Sequence, residues 1–489
     1  MFLNHKVYTA FIFFVCLSMS VYIKFTDMDS IYNIRNIEAS YHTLLTADAL
    51  ASNPISDHYM LPTVTLGKDI DHFVPWGATK PTSTGSYIYT SFYSPAFVVA
   101  HAFFVMTNLE LNLVNLAILN TVLHVASLIV MVLLGLEVHN RLSRDSESSR
   151  YSSYAPLKIL VSSLVLIFSS ESLLSYGVVY WAQSLLNFTM ILAIYLYIKL
   201  RHDRNIVKFS FLLLVLINPL IEWTGFIFNI GLIIASLIFN KNKALAFKIL
   251  AITFFSGLIL VSHYVLAIGV VNTIEGFTSR FFARAIDRAS FFDLALGYFW
   301  SYSMFFVPFV WAAGNVMEKL PSLDRTLQGL IFICFFPLIE NIIMLQHASQ
   351  FSFDRLKFVI PVFVVFFLYF RYFGLNVIVV TLIVISSIMN IKVYGYLERD
   401  GLRWASIHER NVMFRDEIAS QVDLSCSLLT TDWAVRGYYN RLFDRAIVEG
   451  LSLEMSENLD NERYCNHVHV NVHGQPNDLV MIYDYKIIK

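Results

Sequence analysis

Asp27 and Asp29 stand one residue apart in FTDMDSIYNIRNIEAS (25–40), directly after the apolar run VYTAFIFFVCLSMSVYI (7–23). A carboxylate at the edge of a hydrophobic segment can take a proton from a hydroxyl or bind an oxygen-rich group. If the segment is extended, residues two apart point the same way and both carboxylates face one ligand; on a helix they diverge. Two such charges raise one pKa unless a cation neutralises them, so a divalent metal, Mg or Mn, held by Asp27 and Asp29 is open at this stage. Acidic residues can also simply end a membrane span.

A second pattern is FTSRFFARAIDRASFF (277–292), where Arg280, Arg284 and Arg288 recur every four residues. That spacing lines one helix face, and the phenylalanines between them make it an interfacial helix. Three guanidiniums on one face can clamp a phosphate or contact lipid headgroups. A third is QHASQFSFDRLKFVIP (346–361) between two apolar runs. Its His347, Arg355 and Lys357 are candidates for an anionic headgroup. Glu222, in the turn INPLIEW, and Glu38, after the acidic pair, complete the set. An acid so close to hydrocarbon is a site candidate by default.

The elements that must position these residues are membrane helices. The chain has 489 residues, is 56% apolar and only 15% charged, and has a mean hydropathy of +0.59. Soluble chains carry about 25% charged residues. The formal net charge of −1 argues against nucleic acid as a partner. Apolar runs near 7–25, 112–138, 157–170, 182–199, 207–221, 223–240, 246–271, 294–316, 327–344, 357–373 and 375–395 predict about 11 transmembrane helices. The first is read as an uncleaved span, since FTDMDS lacks a small-x-small cleavage site. YSPAFVVAHAFFVMTNL (93–109) is read as an interfacial or re-entrant helix. Lys and Arg concentrate in the short loops at one side, which places the N-terminus in the cytoplasm and the C-terminus outside. The expected division is a transmembrane domain, 1–395, with outer loops 26–111, 272–293 and 345–356, and a small extracytoplasmic domain, 396–489, of α/β or mixed type. Cys426 and Cys465 are the only cysteines of that tail, and an oxidising exterior permits a disulfide between them.

These features together resemble the GT-C superfamily of polytopic membrane glycosyltransferases. The resemblance is carried by Asp27-Met28-Asp29 after the first span, by SYIYTSFYSPAFVVAHAFF (86–104) before the second strong span, and by the late QHASQFSFDRLKFVIP loop. The layout is also similar to the O-antigen-modifying glucosyltransferases of bacteria and their phages. The resemblance implies a GT-C-like fold in a bacterial inner membrane. It implies a polyprenyl-phosphate sugar donor, used on the outer face, and a glycan, lipid-linked or protein acceptor. The key acid would be Asp27 or Asp29, with Asp27, nearer the membrane, preferred as base and with inversion at the sugar carbon. Many bacterial members have a second histidine in the late loop; here Phe351-Ser352-Phe353 follows instead, so only His347 carries over. A lipid-linked oligosaccharide flippase and an O-antigen polymerase or ligase use similar parts. The first is expected to show two related halves and midplane charges, and the second its largest loop late in the chain.

Overall fold

The structure, a computed structural model, describes all residues except 1, 66–68, 73, 75–77, 145–153, 201–204, 286–288, 433–436, 458, 460–461, 474–480 and 489. The chain divides into two compact units. The first comprises residues 1–26, 117–260 and 282–395, and the second 27–116, 261–281 and 396–489. The tail therefore shares a unit with the first polar region and part of a long helix. The boundary drawn at 395/396 in the sequence falls inside the helix Val377–Leu402.

Among the described residues, eight helical segments are long and apolar enough to cross a membrane: Val7–Ser30, Leu113–Leu142, Ala182–Lys199, Lys243–Ala285, Phe291–Ser322, Arg325–Ile343, Ser352–Phe373 and Val377–Gln421. The chain is a multi-pass membrane protein, but eleven full-length spans are not what it shows. Ala155–Phe168, Asn205–Ile221 and Thr224–Ile238 are shorter apolar helices. At about 1.5 Å per residue they fall short of a hydrocarbon core of about 30 Å. Ala155–Phe168 is buried along most of its length, so its apolarity serves packing rather than lipid contact.

In the first unit, Val359–Phe373 packs against Ala155–Phe168, Phe306–Lys319 and Arg325–Phe335. The 3₁₀ segment Ser352–Phe358 leads into it and is buried throughout. The helix Lys243–Ala285 belongs to both units and breaks at Gly269, whose φ of 80° and ψ of 166° suit only glycine. The segment beyond the break carries Arg280 and Arg284, so residues 277–285 of the expected interfacial helix over 277–292 are the end of this long one, and Phe291 and Phe292 open the next helix, Phe291–Tyr302.

The second unit is mixed. Glu38–Ser52 packs on the 13-residue Pro95–Thr107, which is too short to span and ends at Asn108 in the left-handed region. Thr79–Pro81 and Tyr87–Tyr89 form an antiparallel pair. The tail folds as a four-stranded sheet in the order Ile447–Val448, Ser427–Thr431, Asn466–His473, Met481–Ile488. The central pairings are parallel and the last is antiparallel. Cys426 and Cys465 are joined by a disulfide, with Cα atoms 5.5 Å apart, where these strands begin. Asp71 ties the tail to the first polar region by accepting from Arg445 Nε at 2.9 Å and the Ala446 amide at 3.1 Å.

Candidate active site

The first helix stops at Phe25, and the chain then turns sharply. Asp27 takes the left-handed conformation, φ 52° and ψ 17°, and caps a single 3₁₀ turn, Met28–Ser30. Asp tolerates this conformation better than most residues. Met28 points inward and is buried, which pins the turn and leaves both aspartates exposed. The extended geometry that would aim both carboxylates at one ligand is therefore not formed. Only Asp29 lines the adjoining cavity of about 450 Å³ within the second unit, together with Tyr32, Tyr41, Glu110, His408 and Tyr438 among others. Among the described residues nothing hydrogen-bonds the Asp29 carboxylate. Glu38 does not line this cavity; it accepts the Gly437 amide and fastens the tail helix Gly437–Phe443 to Glu38–Ser52.

The first unit holds a buried polar core built from four segments that look unrelated in sequence. Lys357 Nζ pairs with Glu340 and donates to Thr224 Oγ1 at 3.1 Å. The Thr224 amide donates to Glu222 Oε2 at 2.9 Å. Burial, aided by the Glu340 charge and opposed by Lys357, pushes the Glu222 carboxyl up to about 7. His347 pairs through Nδ1 with Asp354, which also accepts from Gln183 Nε2 at 2.6 Å. Burial holds the imidazole below its ordinary value despite Asp354, so neutral His347 donates its Nδ1–H. Arg355 is fully buried. Its Nε donates to Ser301 Oγ at 2.9 Å and its Nη1 to the Ala348 carbonyl and, at 3.3 Å, to that of Ser349. Ser301 in turn donates to Glu171 Oε2 at 2.8 Å.

The late segment thus turns its charges inward. The short helix Leu345–Gln350 ends with carbonyls that have no partner within the helix, and Arg355 supplies the donors. Arg355 and Lys357 are consumed by internal partners, while His347 is held in one orientation. Of the arginine stripe, Arg280 donates from Nε to Ser91 Oγ at 2.7 Å and lies 5.9 Å from the centre of the Tyr89 ring. Arg284 is buried in the first unit and acts electrostatically on His347 and Asp354. Arg288 lies outside the described residues. The stripe is not a single exposed face.

Among the described residues no three His, Cys, Asp or Glu side chains gather as a ligand set. Asp27 and Asp29 alone do not make up such a set for Mg or Mn. Sequence reasoning passed over Glu171, Gln183 and Ser301. A lone acid in the run SSESLLSYGVVYWAQS (169–184) was the available signal. It also passed over Lys24, buried in the first helix with Nζ 2.7 Å from His124 Nδ1.

No family model and no curated protein matches the sequence. Solved structures do match. The crystal structure of ArnT from Cupriavidus metallidurans bound to undecaprenyl phosphate aligns over 94% of this chain and 92% of its own, with TM-score 0.54 and 10% identity. The apo form of the same protein gives TM-score 0.55 over 95% and 93%. The archaeal oligosaccharyltransferase AglB from Archaeoglobus fulgidus, in complex with an inhibitory peptide and a dolichol-phosphate, gives TM-score 0.52 at 10% identity, over 95% of this chain and 69% of its own. At such identity the likeness is one of fold: this chain shares the fold of the ArnT and AglB structures, a polytopic helical membrane architecture with a small strand-containing domain.

Proposed function

We propose that this protein is a membrane glycosyltransferase that moves a sugar from a polyprenyl-phosphate-linked donor to an acceptor hydroxyl on the extracytoplasmic face. The observation that carries the reading is the near-full-length fold match to a structure bound to undecaprenyl phosphate. The sequence features are consistent with a hexose donor, a surface-glycan acceptor of the O-antigen kind, an N-terminus in the cytoplasm and a place in a bacterial inner membrane.

In this reading Asp29, rather than Asp27, is the base. It lines the cavity and no described residue hydrogen-bonds its carboxylate, whereas Asp27 shapes the turn. Asp29 takes the acceptor O–H proton as the oxygen attacks the anomeric carbon. The bond from that carbon to the phosphate oxygen breaks, and polyprenyl phosphate leaves with the electron pair, inverting the centre. Arg280, in the same unit as Asp29, is the candidate for meeting the phosphate charge. Arg355 and Lys357 position the late segment that carries His347.

Transfer from polyprenyl-phosphate hexoses by membranes containing the protein tests this. Asp29→Asn is expected to lower the rate about a hundred- to ten-thousand-fold, the usual worth of a positioned base. Asp27→Asn, which keeps the left-handed turn, is expected to retain most of it. Unchanged transfer in Asp29→Asn, or product with the donor's anomeric configuration, overturns the scheme. A parallel arm with a chelator reports whether a divalent cation contributes.

A further inference from the structure

The cavity beside Asp29 has walls whose chemistry narrows what enters it. Tyr32 lies flat on His408, with ring centres 3.7 Å apart and planes 6° from parallel. His408 Nδ1 and Tyr438 Oη share a hydrogen bond of 2.8 Å. Tyr438 meets Tyr41 edge to face at 5.6 Å, and Tyr41 Oη donates to the Tyr32 carbonyl at 3.4 Å. Four rings therefore form one interlocked wall, fixed before any ligand arrives, which lowers the ordering cost of binding.

The charges point the same way. Arg441 is engaged by Asp48 at 3.3 Å and by the Leu111 carbonyl at 2.9 Å. Arg415 is engaged by the neighbouring Asp416. Both cations that line the cavity have acidic partners, whereas Asp29 has none among the described residues and Glu110 accepts only from the neutral Asn112. The lining presents aromatic rings and two acids without a cationic partner among the described residues, while its two arginines are already paired with acids outside it. An anionic ligand would be repelled, while an uncharged ring with apolar faces and hydroxyl edges fits. The volume of about 450 Å³ lies within the usual range for small-ligand pockets, roughly 300–1,000 Å³.

We propose that this cavity is the acceptor site and that it binds a neutral pyranose, with Tyr32, His408 and Tyr438 as the residues that select it. The assignment of the bound ring as acceptor rests on the reading of Asp29 as the transfer base. The selection of neutral sugar does not.

Saturation-transfer NMR on the full-length protein in lipid nanodiscs separates the two. The probes are methyl α-D-glucopyranoside, methyl α-D-galactopyranoside and methyl α-L-rhamnopyranoside, with methyl α-D-glucopyranosiduronate and a Gly-Ser-Asn-Thr peptide alongside. At least one neutral glycoside is expected to bind to wild type, with the uronate and peptide at least about tenfold weaker, and to bind Asp29→Asn as well, where the loss of one negative charge narrows the margin against the uronate. Tyr32→Ala is expected to weaken the glycoside about tenfold through loss of the stacked face. Tyr438→Phe keeps the ring, so it tests the His408 hydrogen bond if Tyr32→Ala does not fold. No saturation from any neutral glycoside, equal binding of uronate or peptide, or unchanged binding in a folded Tyr32→Ala or Tyr438→Phe overturns the proposal. If neutral glycosides bind as expected but Asp29→Asn still transfers sugar, the base assignment fails and the pyranose site stands. If Asp29→Asn abolishes transfer and the ring variants bind normally, the base stands and the site fails.

Discussion

Lys357→Met removes the one cation that, among the described residues, lies within bonding distance of Glu340 in the buried core. Both side chains are almost fully enclosed, 4% and 2% exposed, so water cannot replace the lost partner. Breaking a buried pair from one side costs about 3–5 kcal/mol, whereas replacing both partners by apolar groups of similar volume is close to neutral. Thr224 also loses the ammonium that its Oγ1 accepts from. Glu222 loses the positive charge that opposes its burial. Lys357→Met alone is therefore expected to lose several kcal/mol. Glu340→Leu alone strands the ammonium and should cost as much. The double variant is expected to lie within about 1–2 kcal/mol of wild type, so the cycle returns a large favourable coupling. The assay is thermal denaturation of the four purified proteins in one detergent at matched lipid content, read by retention of monodisperse protein after heating. Neutral single variants, or a double variant equal to the sum of the singles, would refute the idea that this pair holds the late segment in place.

Glu222 carries a pH signature of its own. Its carboxyl is raised from 4.5 to about 7, so between these values the folded protein holds a proton that the unfolded chain releases. Stability from this group is present in full below about 4.5 and is lost as pH rises through about 7. Glu222→Gln should flatten that decline, worth roughly 3 kcal/mol, and an unchanged pH profile of the denaturation midpoint counts against it. The Cys426–Cys465 bridge closes a 39-residue separation, for which loop entropy gives about 4 kcal/mol. Reductant or Cys465→Ser should therefore make the tail sensitive to proteolysis, and equal digestion rates would argue against the bridge. Gly437→Ala places a Cβ 2.8 Å from Glu38 Oε1 and should loosen the tail as Glu38→Ala does; hydrogen exchange over 437–443 that stays slow in both would count against that contact.

The helix that precedes Asp27, the tail with its strands and its cysteine pair could be read because each rests on local pattern: a long apolar run, a change to mixed composition, two cysteines outside the spans. The direction in which polar residues face was not legible. Arg355 and Lys357 sit in a segment whose composition suggests an exposed loop, yet the carbonyls at the end of Leu345–Gln350 and the Glu340 carboxylate draw them inward. Asp27 and Asp29 look equivalent in sequence. A single left-handed residue and one buried methionine give them different surroundings. Glu171 and Gln183 were hidden because serine-rich runs read as surface, and Ser301 and Asp354, which they meet, lie more than 100 residues away.

The second unit is assembled from three stretches of chain, the last beginning at residue 396. The cavity beside Asp29 takes His408 and Tyr438 from that last stretch. During synthesis the acid emerges early, but its surroundings are incomplete until translation is nearly finished. A chain cut short near its end would retain Asp29 and most of its membrane helices yet have no enclosed pocket. On the proposed reading of Asp29, a half-made chain could not yet carry out transfer, and loss of the C-terminal stretch would cost activity rather than membrane insertion.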